Sequence, residues 1–170
     1  MALLARQRAT RRGARIGIGG LLLAVSAGSV CHAQVDEHSL KAAFVYNIAA
    51  FAQWDEATAE ALTICLQVDA RLEAAIAALS GRSLAGRPVR VRWANPVAGC
   101  DVLVHDADTP VAAASDTLVI CDACQLPDGS TAVALVREGN RIRFDIDATR
   151  ARAGGITLSS QLLRLARRVL

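Results

Sequence analysis

The chain has 170 residues, 53% of them hydrophobic but only 4% aromatic, with 19 lysines and arginines against 16 acidic residues. That length and composition fit one ordinary domain whose core is filled by Val, Leu, Ile and Ala, and they exclude a disordered or low-complexity chain. The positive excess is carried by arginines near the N-terminus, so it does not mark a nucleic-acid-binding surface.

Arg6, Arg8, Arg11, Arg12 and Arg15 precede the apolar stretch IGIGGLLLAVSAGSV, residues 16–30, and no acidic residue stands among them. A basic region, an apolar run and the small-residue exit CHAQ predict a secretory signal peptide over residues 1–33, cleaved after Ala33. The run is too short and too rich in glycine for a transmembrane helix, which needs roughly 20 residues. Gly17-Ile18-Gly19-Gly20 has no preceding strand to make it a nucleotide loop. Val30 stands where a lipid-attachment site wants a smaller residue, and Arg11-Arg12 lacks the apolar pair of a twin-arginine signal. Without this segment, 14 basic side chains face 16 acidic ones, and residues 34–170 read as a single domain.

In chain order, SLKAAFVYNIAAFAQW, residues 39–54, places Leu40, Phe44, Ile48 and Phe51 at helical spacing, with Ser39 as the N-cap. LTICLQV, residues 62–68, is a buried strand, and Asp69 caps a helix over residues 70–79 that Gly81 ends. RPVRVRW alternates Val89, Val91 and Trp93, expected inside, with Arg90 and Arg92, expected outside. DVLVHD, residues 101–106, is another strand. Thr109-Pro110 is expected to open a brief helix through Ser115, and TLVICD follows as a strand. TAVALV and RIRFDI flank Glu138-Gly139-Asn140, a hairpin signal. Residues 147–153 form a helix broken at Gly154-Gly155, and SSQLLRLARRVL closes the chain as a helix. Helices alternating with buried strands predict an α/β fold: a single-domain, mostly parallel sheet flanked by helices with one antiparallel hairpin.

The helix KAAFVYNIAAFAQW and the segment NRIRFDIDATRARAGGITLSSQLLRLA resemble the opening and C-terminal signatures of the YfiR/HmsC-like periplasmic proteins. Between them LTICLQ, LSGRSLAGRPVRVR and GCDVLVHD fall in the family's order, so the resemblance spans residues 38–169. Asp55 replaces the family's proline after Trp54, DGSTAVAL replaces its glycine-glycine-methionine stretch, and the segment after Asp106 is short. The resemblance implies a periplasmic α/β regulator, commonly dimeric. Such a protein restrains an inner-membrane diguanylate cyclase through that enzyme's periplasmic sensor region, lowering cyclic di-GMP and biofilm formation. It implies no enzyme activity and no cofactor, and it places the protein at the membrane only through its partner.

Outside the signal segment four cysteines remain, Cys65, Cys100, Cys121 and Cys124, which allow three pairings. The resemblance implies a bond between Cys65 and Cys100, and the fold reading agrees, since their strands neighbour each other in many doubly wound sheets. VICDAC then holds either a short loop disulfide, a redox dithiol or part of a zinc site. A redox dithiol sits at a helix N-terminus, whereas Pro127-Asp128-Gly129 reads as a turn. Zinc on all four cysteines is disfavoured by an oxidising compartment. A loop disulfide is the expectation, with a redox switch on partner binding as its functional extension.

His105, at a strand end, is expected to face solvent; no nucleophile-elbow motif frames it with Ser115, Ser159 or Ser160. Asp106 and Asp108 are read as helix-capping residues, and Asp145 and Asp147 as an exposed face meeting Arg141 and Arg143. Phe44, Phe51 and Trp54 are assigned to the core, leaving Tyr46 and Asn47 for an interface. The last helix groups Leu162, Leu165 and Val169 on one side and Arg164, Arg167 and Arg168 on another, a basic cluster suited to an acidic partner. The competing functional class is a small-ligand sensor or solute-binding module that uses the crevice at the strand ends near His105 and Cys121.

Overall fold

The computed structural model describes residues 36–55, 60–111 and 115–170. The predicted signal segment lies outside them. Helix α1 (Glu37–Ala50) starts one turn earlier than expected, because the Asp36 carboxylate accepts the Ser39 amide at 3.1 Å. An ionised side chain is the stronger partner for the free amides and positive end of a helix, so Ser39 lies inside the first turn. The helix also ends before Trp54. Its last expected residues form strand β1 (Ala52–Trp54), drawn into an antiparallel pair with β9 (Ile156–Leu158).

Strand β2 (Leu62–Gln67) leads to α2 (Ala70–Ala77), whose cap is Asp69 as predicted; the carboxylate accepts the amides of Arg71 at 2.7 Å and Leu72 at 3.2 Å. Strands β3 (Ser83–Leu84) and β4 (Arg87–Trp93) follow as an antiparallel pair that the sequence reading did not foresee. Then come β5 (Val102–Asp106) and β6 (Leu118–Asp122). Residues 109–111 are not helical, because the Thr109 amide closes a turn on the Asp106 carbonyl; residues 112–114 of the expected helix lie outside the described residues. The predicted hairpin is β7 (Val133–Glu138) and β8 (Arg141–Ile146), turning at Gly139 with φ +60°. Helix α3 (Ala148–Ala153), capped by Asp147, precedes β9.

The closing helix α4 (Ser160–Leu165) is half its expected length. Ala166 is extended, and β10 (Arg168–Val169) pairs in parallel with β8. Of the expected apolar stripe only Leu162 is buried; Leu165 and Val169 are 57% and 45% exposed.

The eight-stranded sheet runs β10-β8-β7-β6-β5-β2-β4-β3, with parallel pairing from β4 through β2, β5 and β6 to β7. The chain moves from β2 out to β4 and returns to the other side of β2 as β5. The order therefore reverses between β2 and β5, where α/β sheets open a crevice at the strand carboxyl ends.

The sheet's two faces are covered differently. Ile64, Leu66, Val102, Val104, Leu118, Ile120, Val133, Leu135, Phe144 and Ile146 alternate onto one face. They pack with the buried residues of α1, α2, α3 and α4, among them Val45, Ile76, Ala151 and Leu162. The intervening residues turn to the other face, where a small cluster joins Cys65, Ala94, Cys100 and Leu103 with Val97 and Val111. Among the described residues no helix contributes to that cluster. A loop covers it instead, and two devices hold the loop down.

The first device is the Cys65–Cys100 disulfide, with Cα atoms 5.8 Å apart. The second is Arg92, whose guanidinium donates to the carbonyls of Trp93, Pro96 and Ala98 at 3.1, 2.7 and 2.6 Å. Arg92 is thus a half-buried organiser of the loop rather than a wet-face residue, and Trp93, expected inside, is 54% exposed. Val89, Val91 and Arg90 keep their expected sides; only the end of the strand departs, because there the loop supplies the partners of Arg92.

Chain-entropy arguments rank the two bridges. The Cys65–Cys100 bond closes a separation of 35 residues and the Cys121–Cys124 bond one of 3. The first should stabilise by about 4 kcal/mol and the second by about 2 kcal/mol. Urea denaturation of the two double serine variants is expected to show that order, and the reverse order would contradict it.

Candidate functional site

The carboxyl ends of β5 and β6 carry two of the five buried polar side chains among the described residues, His105 and Asp122. Lys41 of α1 reaches across to Asp122 at 2.7 Å and to Glu37 at 3.1 Å, and Glu37 in turn binds Arg137 of β7. Burial works against the Lys41 ammonium, but the Asp122 and Glu37 carboxylates outweigh it and raise its pKa above the ordinary value. Lys41 therefore stays charged and ties α1 to the strand end where the second disulfide begins. Burial, followed by the nearby Asp69 and Asp122 charges, raises Asp106 above the ordinary carboxylate range. Asp106 lines the crevice between β2 and β5 and caps no helix, since residues 107–111 are not helical.

Cys121 is buried in β6 and bonded to Cys124 in the following loop, as expected for VICDAC. Ala123 between them sits at φ +66°, and its backbone N–H donates a hydrogen bond to the Leu135 carbonyl at 2.9 Å. The loop continues into the predicted turn, where the Asp128 carboxylate accepts the amides of Ser130 at 2.9 Å and Thr131 at 2.7 Å. No helix follows Cys124, so the dithiol lacks the N-terminal dipole of a thioredoxin-type site.

His105 is 3% exposed rather than solvent-facing. It lies beside Cys121 in the parallel register of β5 and β6. Its Nδ1 lies 2.9 Å from the Asp106 carbonyl and its Nε2 3.3 Å from the Thr131 hydroxyl. The sequence could not show this burial, because the strand end is covered by the Cys121–Thr131 loop. Ser159, one of the serines weighed as a nucleophile, is the N-cap of α4, with Oγ accepting the Leu162 amide at 3.2 Å.

Beyond the disulfide lies a crevice of about 450 Å³ lined by Cys124, Gln125, Arg137, Asp145, Arg167 and Arg168. Asp145, expected on an exposed face, is 1% exposed and does not pair with Arg141 or Arg143. Its carboxylate accepts two bonds from Arg167, at 2.8 and 2.7 Å, and Arg168 lies 3.1 Å away. These contacts, led by the Arg167 hydrogen bonds, hold the Asp145 carboxyl below its usual range. Asp147, its supposed companion, caps α3.

The structure therefore brings Cys124, Arg167 and Arg168 together and separates the other predicted interface residues from them. Arg164 is exposed on α4. Tyr46 and Asn47 line a groove between α1 and α2, where the Tyr46 hydroxyl donates to the Ser83 carbonyl at 2.7 Å and Arg82 stacks 5.9 Å from its ring. Phe44, Phe51 and Trp54 pack against the main core as expected, although Trp54 does so from a strand. At the switch point between β2 and β5, a second crevice of about 450 Å³ is lined by Gln67, Asp69, Trp93, Asn95, Asp106 and Thr109.

Compared with known families, residues 38–167 match the YfiR/HmsC-like family. The chain belongs to that family. The match takes in both disulfides, Lys41, His105, Asp145 and Arg167, and no individual curated protein matches the chain. Membership in the YfiR/HmsC-like family implies a periplasmic regulatory protein in diguanylate cyclase signalling. The two disulfides fit an oxidising compartment, and among the described residues no helix is long and apolar enough to cross a membrane.

Sequence reasoning missed Arg137, Asp145 and the Lys41–Asp122 tie. The alternation in RIRFDI carried a signal: Ile142, Phe144 and Ile146 occupy the helix-covered face, so Asp145 must lie on the other. Nothing local says that this other face is also buried there.

Asp145→Asn leaves two guanidiniums facing a neutral amide and is expected to lower stability at neutral pH. A carboxyl held low when folded stabilises fully above its unfolded value near 4 and loses that contribution as pH falls through the folded value. The stability gap between wild type and variant, measured by urea denaturation, should shrink at pH 3. A gap that is constant with pH would contradict the pairing.

Proposed function

We propose that this protein is an exported, non-enzymatic regulator that binds the periplasmic sensor region of an inner-membrane diguanylate cyclase, lowering cyclic di-GMP and biofilm formation. Family membership carries the reading. The crevice beside the second disulfide supports it with a surface: Arg137, Arg167 and Arg168 are 61%, 36% and 48% exposed in their side chains, while Asp145 is covered. Such a surface suits an acidic patch on a partner. The reading includes cleavage of residues 1–33, a homodimer, and attachment to the membrane only through the partner. Tyr46, Asn47 and Arg164 are secondary contact candidates. The regulator acts by preferring the inactive sensor conformation; a preference of about 1.4 kcal/mol shifts that equilibrium tenfold.

Pulldown from membrane extract with the tagged protein is expected to capture a diguanylate cyclase. Arg137→Ala with Arg168→Ala should reduce capture at least tenfold and raise cellular cyclic di-GMP. Recovery of no membrane protein, or capture indifferent to both arginines, would overturn the reading.

A second reading, a small-ligand sensor, rests on the switch-point crevice. Trp93 is exposed at its edge, and the Gln67 side-chain oxygen is buried with no hydrogen-bond partner. Unpaired buried acceptors cost about 1–3 kcal/mol, so a donor from a ligand would be favoured there. Quenching of tryptophan fluorescence by a small molecule, lost in Trp93→Phe, would favour this reading.

A further inference from the structure

The described residues hold one cluster of metal-ligating groups, His105, Cys121 and Cys124. A ring nitrogen of His105 and the two sulfurs all lie within 4.8 Å of one another. We propose that reduction of the Cys121–Cys124 bond opens a site at which these three residues bind a thiophilic d10 cation of the zinc type.

The hydrogen bonds of the imidazole leave one nitrogen able to ligate. A backbone carbonyl can only accept, so Nδ1 carries the proton and donates it to the Asp106 carbonyl at 2.9 Å. Nε2 is left with the lone pair, taken up by the Thr131 hydroxyl at 3.3 Å, a partner that a cation can displace by rotation of that hydroxyl. Metal-binding histidines are oriented in this way, with the second nitrogen donating to a carbonyl or carboxylate. His105 and Cys121 are fixed as register neighbours on adjacent parallel strands. Cys124 is in a loop and half-buried, so it is the ligand that can move. Tetrahedral zinc with Zn–S of about 2.3 Å places its two sulfurs roughly 3.8 Å apart. Opening the bond and turning Cys124 outward supplies that separation.

The closed disulfide and the loaded site exclude each other. A dithiol reductant passes two electrons into the Cys121–Cys124 bond, which breaks to two thiols as the reductant leaves with its own disulfide formed. Entry of the cation then releases the two thiol protons to solvent. Two thiolates and a neutral imidazole cancel the divalent charge, which matters beside Arg137, Arg167 and Arg168. Three protein ligands leave a fourth position for water.

The test uses the purified full chain with cobalt(II) as the spectroscopic probe and zinc(II) as competitor. After reduction with a phosphine, alkylation mapping establishes which cysteines are free, and circular dichroism confirms the native fold. The reduced protein should bind one cobalt with sulfur-to-metal charge-transfer and tetrahedral d–d bands, displaced by zinc; the oxidised protein should show neither. Cys124→Ser, at a half-exposed loop position, and His105→Gln should each weaken binding at least tenfold, and bound zinc should slow reoxidation. Bands that persist in the Cys121→Ser/Cys124→Ser double variant would overturn the proposal. So would equal binding by the oxidised and reduced protein, affinity indifferent to His105, or loss of the fold on reduction.

Discussion

The Cys65–Cys100 bond is the constraint on which this domain depends, because it performs on one face of the sheet what helices perform on the other. Parallel strands buried on both sides must be covered twice, and the described residues hold four helices whose buried residues all join one cluster. The opposite side of β2 and β5 is left to a loop, and loops carry backbone polar groups that resist burial. The bridge fixes that loop covalently to the middle of β2. Arg92 satisfies three of its carbonyls, and the Thr117 hydroxyl donates to the Cys100 carbonyl at 2.8 Å.

The same division explains where the chemistry lies. Helix-covered residues are apolar, whereas His105, Cys121 and Asp145 all alternate onto the loop-covered face, where polar partners are close. Each is buried and each is satisfied: His105 by Asp106 and Thr131, Asp145 by Arg167 and Arg168, Cys121 by Cys124. A face closed by loops and bonds rather than by packed helices can be altered locally without disturbing the main core, which is what a regulatory surface requires.

Much of the layout was legible because period-two alternation and turn residues are local signals. Asp69 before α2, the Glu138-Gly139-Asn140 turn and the break at Gly154-Gly155 all stand where the pattern places them. Two departures are local, the Asp36 cap of α1 and the turn of Thr109 onto Asp106; in the others a distant partner overrode local propensity. Ala52 to Trp54 continue a helical stripe in sequence, but β9 offers their backbone a ladder. SSQLLRLARRVL reads as one helix, but the bidentate Arg167–Asp145 pair and the β8 edge pull its second half into β10. Trp93 and His105 exchange their expected exposures because loop cover is not written in any one strand. The cysteines were the most readable part of the site, since their number and spacing limit the pairings, whereas the arginines around Cys124 become a cluster only when the tertiary fold is known.

Amide hydrogen exchange on the native protein and on the Cys65→Ser/Cys100→Ser variant tests most directly whether the bond stands in for a helix. The account predicts that protection falls selectively in residues 94–103 and in β2, while α1, α2 and the β7–β8 hairpin keep theirs. A uniform loss across the whole domain, or no loss at all in the loop, would contradict it.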